Sequence, residues 1–120
     1  MPSIYHRATG STLGDFIILA EVELSKDNIS VAAVLASAAY EGALKQKATE
    51  LGIVVEDIDL AKVVEALKSK SFFQGADSKL QTGYVRLRNE AMHADWSKLN
   101  SSTVNGLIAY VKNFLHEHFA

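Results

Sequence analysis

The chain has 120 residues, 48% of them hydrophobic and 22% charged, which bounds it to one globular domain able to bury its own core. Cysteine is absent, so disulfides and thiolate metal sites are excluded. Fourteen acidic against twelve basic residues give a net charge of −2, which excludes holding a nucleic acid through a global positive field and leaves only a local one.

Residues 1–11 contain the only proline, Pro2, with Gly10 and no apolar period, and are expected to form an extended N-terminal arm ahead of a single helical domain over 12–120. His6 and Arg7 lie in that arm without a motif around them. Thr12, with Asp15 three positions on, matches a capping box. Leu13, Phe16, Ile17, Ala20 and Leu24 then repeat at helical spacing. Ile18, Leu19 and Val22 make this first helix apolar on more than one side, as expected of a helix with more than one neighbour, the second of which could be another protomer. The longest apolar run, in Phe16 to Ala20, is too short to span a bilayer, and the first residues lack the pattern of a signal peptide. No membrane partner is expected, and the expected place is cytoplasmic.

A second helix is expected from a cap at Asp27 or Asn28 to about Leu51, with Gly52 at its C-terminal position. Its many alanines and Gly42 permit close helix approach, and Glu41 is the only charged residue between Val31 and Leu44. Ile53 to Glu56 is β-branched but has no partner run, so it reads as a linker packed on the bundle. A cap at Asp57 or Asp59 opens a third, shorter helix with Leu60, Val63, Val64 and Leu67 inward. Ser69 to Ser78 reads as a loop anchored by Phe72 and Phe73, whose rings supply packing area.

The fourth helix, from about Asp77 to Asp95 or Trp96, has an apolar stripe of Leu80, Tyr84, Leu87, Ala91 and Ala94. A polar turn follows, and Ser101 or Ser102 caps a fifth helix with Val104, Leu107, Ile108, Val111, Leu115 and Phe119 in period. In the triplet His116, Glu117, His118 residues two apart point away from one another on a helix, so no metal site is expected there. Without repeats, a Gly-rich phosphate loop or an H-E-x-x-H pattern, no cofactor is implied. These elements amount to an all-α antiparallel four-helix bundle with an extra short helix.

The stretch Tyr84 to Trp96, YVRLRNEAMHADW, concentrates two arginines, an amide, a histidine, an aspartate and the only tryptophan. Imidazole exchanges a proton near neutrality, and arginine meets phosphate oxygens with a planar, always charged fork. Together they suit phosphodiester chemistry. At ~100° per residue, Arg86, Asn89 and His93 fall close together, whereas Arg88 lies about 140° from His93 and needs its long side chain or a break in the helix to reach it.

Arg88, Asn89, three residues, then His93 resembles the R-[polar]-x-x-x-H signature of the HEPN superfamily, small all-helical domains that are often metal-independent endoribonucleases of defence and toxin systems. The signature lies near the end of the penultimate helix and is followed by one last amphipathic helix, so the resemblance covers most of the chain. It implies an RNA substrate, cleavage by attack of the ribose 2′-hydroxyl to give 2′,3′-cyclic phosphate and 5′-hydroxyl ends, a homodimer, and in some settings an antitoxin or other regulatory protein. His93 and Arg88 are the implied catalytic pair, with Asn89 positioning substrate or His93. Glu41 on the second helix is expected to orient Arg88 or hold the His93 tautomer, with Asp95 in support. Arg86 also satisfies the looser family spacing; the helical wheel favours Arg86 and the family pattern Arg88. His93 is followed by Ala94 and Asp95, so the H-x-Y continuation of some toxin members is missing. The other reading of the same residues is a non-catalytic helical module that binds a partner protein or nucleotide and is regulated as part of a complex.

Overall fold

The computed structural model describes residues 4–119, with side chains from residue 9 onward. Five α-helices make the fold: α1 (Ile4–Ser25), α2 (Ile29–Glu50), α3 (Leu60–Ser69), α4 (Gly75–Met92) and α5 (Ser101–Phe119), with a 3-10 turn at Trp96–Lys98. No strand occurs among the described residues, so the all-α bundle expected from the sequence is what forms.

α2 is the central helix. Nine of its residues are buried, seven of them Ala32, Ala33, Ala36, Ser37, Ala39, Ala43 and Ala48. Small side chains on that face let four other helices approach it, and the larger Tyr40 and Leu44 fill the space between them. α1 and α2 form an antiparallel hairpin closed at Lys26–Asn28, where Asp27 takes the left-handed conformation (φ 64°) and the Asn28 N–H donates to Glu23 O at 2.9 Å. Asn28 holds the cap position of α2 without capping it through its side chain. Its amide donates to Glu23 Oε2 instead, at 2.8 Å.

Three expectations about helix starts are corrected. α1 begins at Ile4 rather than at Thr12, so residues 4–11 are not an extended arm, and Thr12 and Asp15 lie inside the helix rather than at a capping box. Gly10, read as a breaker, marks a close approach: a Cβ there would lie 2.7 Å from Phe119 Cβ. Pro2 and the side chains of His6 and Arg7 lie outside the described residues. At α5, Asn100 does the capping in place of Ser101 or Ser102, its Oδ1 accepting from the Thr103 N–H at 2.9 Å.

α3 opens as expected, with Asp59 Oδ1 accepting from the Lys62 N–H at 3.0 Å and Leu60, Val63, Val64 and Leu67 buried. Ile53 to Glu56 forms no strand, and Ile53 and Val55 pack against the core. Phe73 is buried, and Phe72 meets the rings of Phe73 and Phe114 with centroids 5.0 and 5.9 Å apart. α5 lies antiparallel to α1, with Lys112 Nζ 3.3 Å from Glu21 Oε2 and Phe119 beside Gly10. α4 lies antiparallel to α2: Lys47 stands over the Phe72 ring at one end, and Trp96 meets Val31, Val34 and Leu35 at the other. Among the described residues no helix is long and apolar enough to cross a membrane.

Candidate active site

α4 is held on α2 by a polar network, not only by its apolar stripe. Gln81 is fully buried. Its Oε1 accepts from the Tyr40 hydroxyl, and its Nε2 donates to Asp77 O and to Tyr110 Oη, both at 2.9 Å. The Tyr110 hydroxyl in turn donates to Asp77 Oδ1 at 3.1 Å, and the Tyr84 ring lies 5.6 Å from Tyr40 and 4.9 Å from Tyr110. Burial is the main cause that pushes the Tyr40 and Tyr110 hydroxyls far above their ordinary values, so both remain protonated donors. Leu87 and Ala91 complete the inner face. Leu80 and Ala94, expected inward, are exposed. Leu80 opens into the cleft between α4 and α5, and Ala94 lies beyond the helix end in the left-handed region (φ 57°).

Two of those groups, Tyr40 and Gln81, set the register that brings Arg88 to α2. Arg88 Nε donates to Glu41 Oε1 at 3.0 Å, and Nη2 lies 3.0 Å from the same oxygen. The other carboxylate oxygen of Glu41 is 2.7 Å from Lys45 Nζ. Burial alone would raise the Glu41 carboxyl, but the Lys45 hydrogen bond and the charges of Arg88 and Lys45 outweigh it and hold the group below the usual carboxylate range. One carboxylate facing two cations leaves the cluster with one positive charge in excess. Arg88 Nη1 donates to Asn89 Oδ1 at 3.1 Å, so the Asn89 carbonyl is engaged while its amide N–H groups stay available. A guanidinium carries five N–H donors, and this arrangement leaves part of its edge open.

α4 ends one residue before His93. His93 is the C-cap (φ −95°, ψ 13°), with its backbone N–H on Asn89 O. Its imidazole is exposed, and no hydrogen bond or ion pair engages it among the described residues. The helix end follows from Ala94: the Asp95 N–H returns to Glu90 O at 2.8 Å and the Ala94 N–H to Ala91 O at 3.4 Å, a closure that needs a left-handed residue between them. The Trp96 indole then donates to Ala91 O at 3.1 Å, satisfying another carbonyl of the last turn.

The structure thus brings Glu41, Arg88 and Asn89 together at the end of α4, with His93 in the next turn. Of the two roles weighed for Glu41, it takes the first: it orients Arg88, and among the described residues it makes no bond to His93. Arg86 is not part of this group. It is exposed and lines a cleft of about 460 Å³ between α4 and α5 together with Leu80, Tyr84, Leu87, Lys98 and Leu99. Asp95 pairs with Lys98 at 2.9 Å rather than with Arg88 or His93. Lys45 was missed in the sequence reading, although its four-residue step from Glu41 on one helix is a legible pairing signal. The Tyr40–Gln81–Tyr110 network had no such signal, since its members are scattered along the chain.

At the C-terminus the His116–Glu117–His118 triplet splits. His116 is exposed, while the His118 ring sits 5.2 Å from Phe72 and 4.6 Å from Phe114. No family model matches this chain, and no curated protein or solved structure does.

Proposed function

We propose that this protein is a metal-independent endoribonuclease of HEPN type, with His93 as general acid or base and Arg88 stabilising charge on the phosphate. The reading is supported chiefly by the Glu41–Arg88 pair. It holds a guanidinium, with N–H groups still free, about 7.5 Å along the helix axis from a solvent-open imidazole. In the reaction the ribose 2′-oxygen attacks phosphorus as its proton passes to an imidazole. The bond from phosphorus to the 5′-oxygen breaks, and the leaving oxygen takes up a proton. The products are a 2′,3′-cyclic phosphate and a 5′-hydroxyl. Arg88 and the Asn89 amide would meet the non-bridging oxygens as their charge grows. Each chain offers one imidazole at this place, so the proposal includes a homodimer.

The test is cleavage of RNA by the purified protein in excess EDTA. His93→Ala is expected to lose about 100-fold or more in rate, Arg88→Ala a comparable amount, and Arg86→Ala much less. Cleavage that requires a divalent ion, or that survives His93→Ala undiminished, would overturn the proposal.

A second reading, a non-catalytic helical module that binds a partner protein, has one observation in its favour. The cleft between α4 and α5 is largely apolar and wide, with Leu80 exposed on its wall. Binding to a partner from the source cell, with no cleavage across a broad RNA panel, would favour that reading.

A further inference from the structure

α2 buries its alanines on one side and turns an uncharged side outward. From Val31 to Tyr40 it carries no charged residue. The outward positions Val31, Val34 and Leu35 line a cavity of about 230 Å³ with Ser30 and the Trp96 ring. Val31 is 46% exposed and Trp96 51%. The patch continues in two directions. Met92, 40% exposed, stands one turn beyond Arg88 on α4. On α1, Leu19 is 52% exposed, and the hairpin register, set by Leu13 against Gly42 and the turn at Lys26–Asn28, brings it level with Leu35.

Taking ~200 Å² for a large apolar side chain, these four half-exposed residues leave on the order of 400 Å² of apolar surface. That is about half of the ~800 Å² per partner in a standard interface, the rest being the share of a polar rim. The rim is mutually neutralised: Glu41 with Arg88 and Lys45, Asp95 with Lys98, and Glu23 with Asn28. A strongly acidic or basic partner segment would find little to pair with here. An identical face meets no like-charge repulsion, and an isologous contact repeats one patch against itself.

We infer that this α2–Trp96 face seats a second copy of the chain about a twofold axis, and that the paired copy completes the site at the end of α4. The second half rests on the ribonuclease reading; the contact itself does not. Asn89, bonded to Arg88, and His93, one turn further on, border the face. Two copies joined there bring two imidazoles and two guanidinium groups to one seam, giving the transfer both a base and an acid.

The experiment is light scattering of the full chain at micromolar concentration, beside RNA cleavage measured on the same samples. Wild type is expected at twice the 13.1 kDa chain mass. Val31→Glu and Trp96→Ala are each expected to weaken the dimer about 30-fold or more with helical circular dichroism unchanged. Because Trp96 also caps a carbonyl of α4, Val31→Glu and Val34→Glu serve as independent checks should Trp96→Ala lose structure. Leu80→Glu, in the cleft between α4 and α5, should leave the dimer intact. A monomeric wild type, or a dimer broken by Leu80→Glu and not by Val31→Glu, overturns the contact. A monomeric Val31→Glu that cleaves RNA as fast as wild type overturns the shared site. A dimer that cleaves no RNA supports the contact and counts only against the ribonuclease reading.

Discussion

The Arg88 guanidinium presents both Nε and Nη2 to a single oxygen of Glu41, each at 3.0 Å, while the second oxygen of Glu41 is held by Lys45 at 2.7 Å. Neither partner of Arg88 is free to follow it into solvent. The pair therefore acts as a hinge pin between α2 and α4, with stability and the geometry of the candidate site resting on the same contact.

Glu41→Gln keeps the shape of that side chain and removes its charge. It should cost about 1–2 kcal/mol of stability, within the range for a charge-assisted hydrogen bond and discounted for partial exposure. RNA cleavage should fall about 10- to 100-fold, as for other residues that orient a functional group through a hydrogen bond. Urea unfolding read beside cleavage rates checks both. Loss of stability with full cleavage would make Glu41 purely structural. Its lowered pKa also fixes the sign with pH: the contribution is present above the ordinary carboxylate value and is lost as pH falls through the depressed folded one. Glu41→Gln should accordingly unfold less steeply in acid than wild type does.

Gln81 joins three helices through side chains that water cannot replace. Gln81→Leu leaves the Tyr40 hydroxyl buried without its acceptor and should destabilise the fold by about 1–3 kcal/mol. Adding Tyr40→Phe removes the orphaned donor, so the double variant should lose less than the two single effects added together. Additive losses in urea midpoints would show that the two groups act independently.

The glycines of α1 should respond in opposite directions to alanine. At Gly10 a Cβ would lie 2.7 Å from Phe119 Cβ and 3.2 Å from its carbonyl oxygen, atoms that cannot rotate away, so Gly10→Ala should cost about 1–3 kcal/mol. At Gly14 nothing lies within 4 Å of that position, and Gly14→Ala should stabilise by about 0.4–1 kcal/mol through the unfolded chain. Thermal midpoints moving the same way for both would contradict this packing of α1 on α5.

His118 should make stability fall as the solution is acidified. Burial between Phe72 and Phe114 depresses its pKa, the charge of Lys47 adds to that, and Glu117, Asp77 and Glu50 oppose it. Its folded value lies below the ordinary ~6.5, so its contribution is complete above that value and is lost as pH falls towards the folded one, at no more than about 1.4 kcal/mol per pH unit. His118→Leu should flatten the change in urea midpoint between neutral and mildly acidic solution. An unchanged slope would assign it to other groups.

Periodicity alone determined the helices, because an amphipathic stripe must face a core wherever that core is. The inward residues of α3 and α5 and the alanine face of α2 could be read from spacing, and so could Glu41, conspicuous as a lone charge in an apolar stretch. Helix starts were less legible. Gly10 looks like a breaker until Phe119, over a hundred residues on, is seen to need the room, and Asn100 outcompetes Ser101 and Ser102 only through local cap geometry. The choice between Arg86 and Arg88 was beyond the sequence. On a helical wheel Arg86 sits nearer His93, but a wheel ignores side-chain length and neighbouring helices. Once Gln81 and Tyr40 set the register of α4 on α2, Arg88 reaches Glu41, and Arg86 is left facing the cleft beside α5. Long-range polar pairing of that kind carries no period, so only the tertiary structure could decide it.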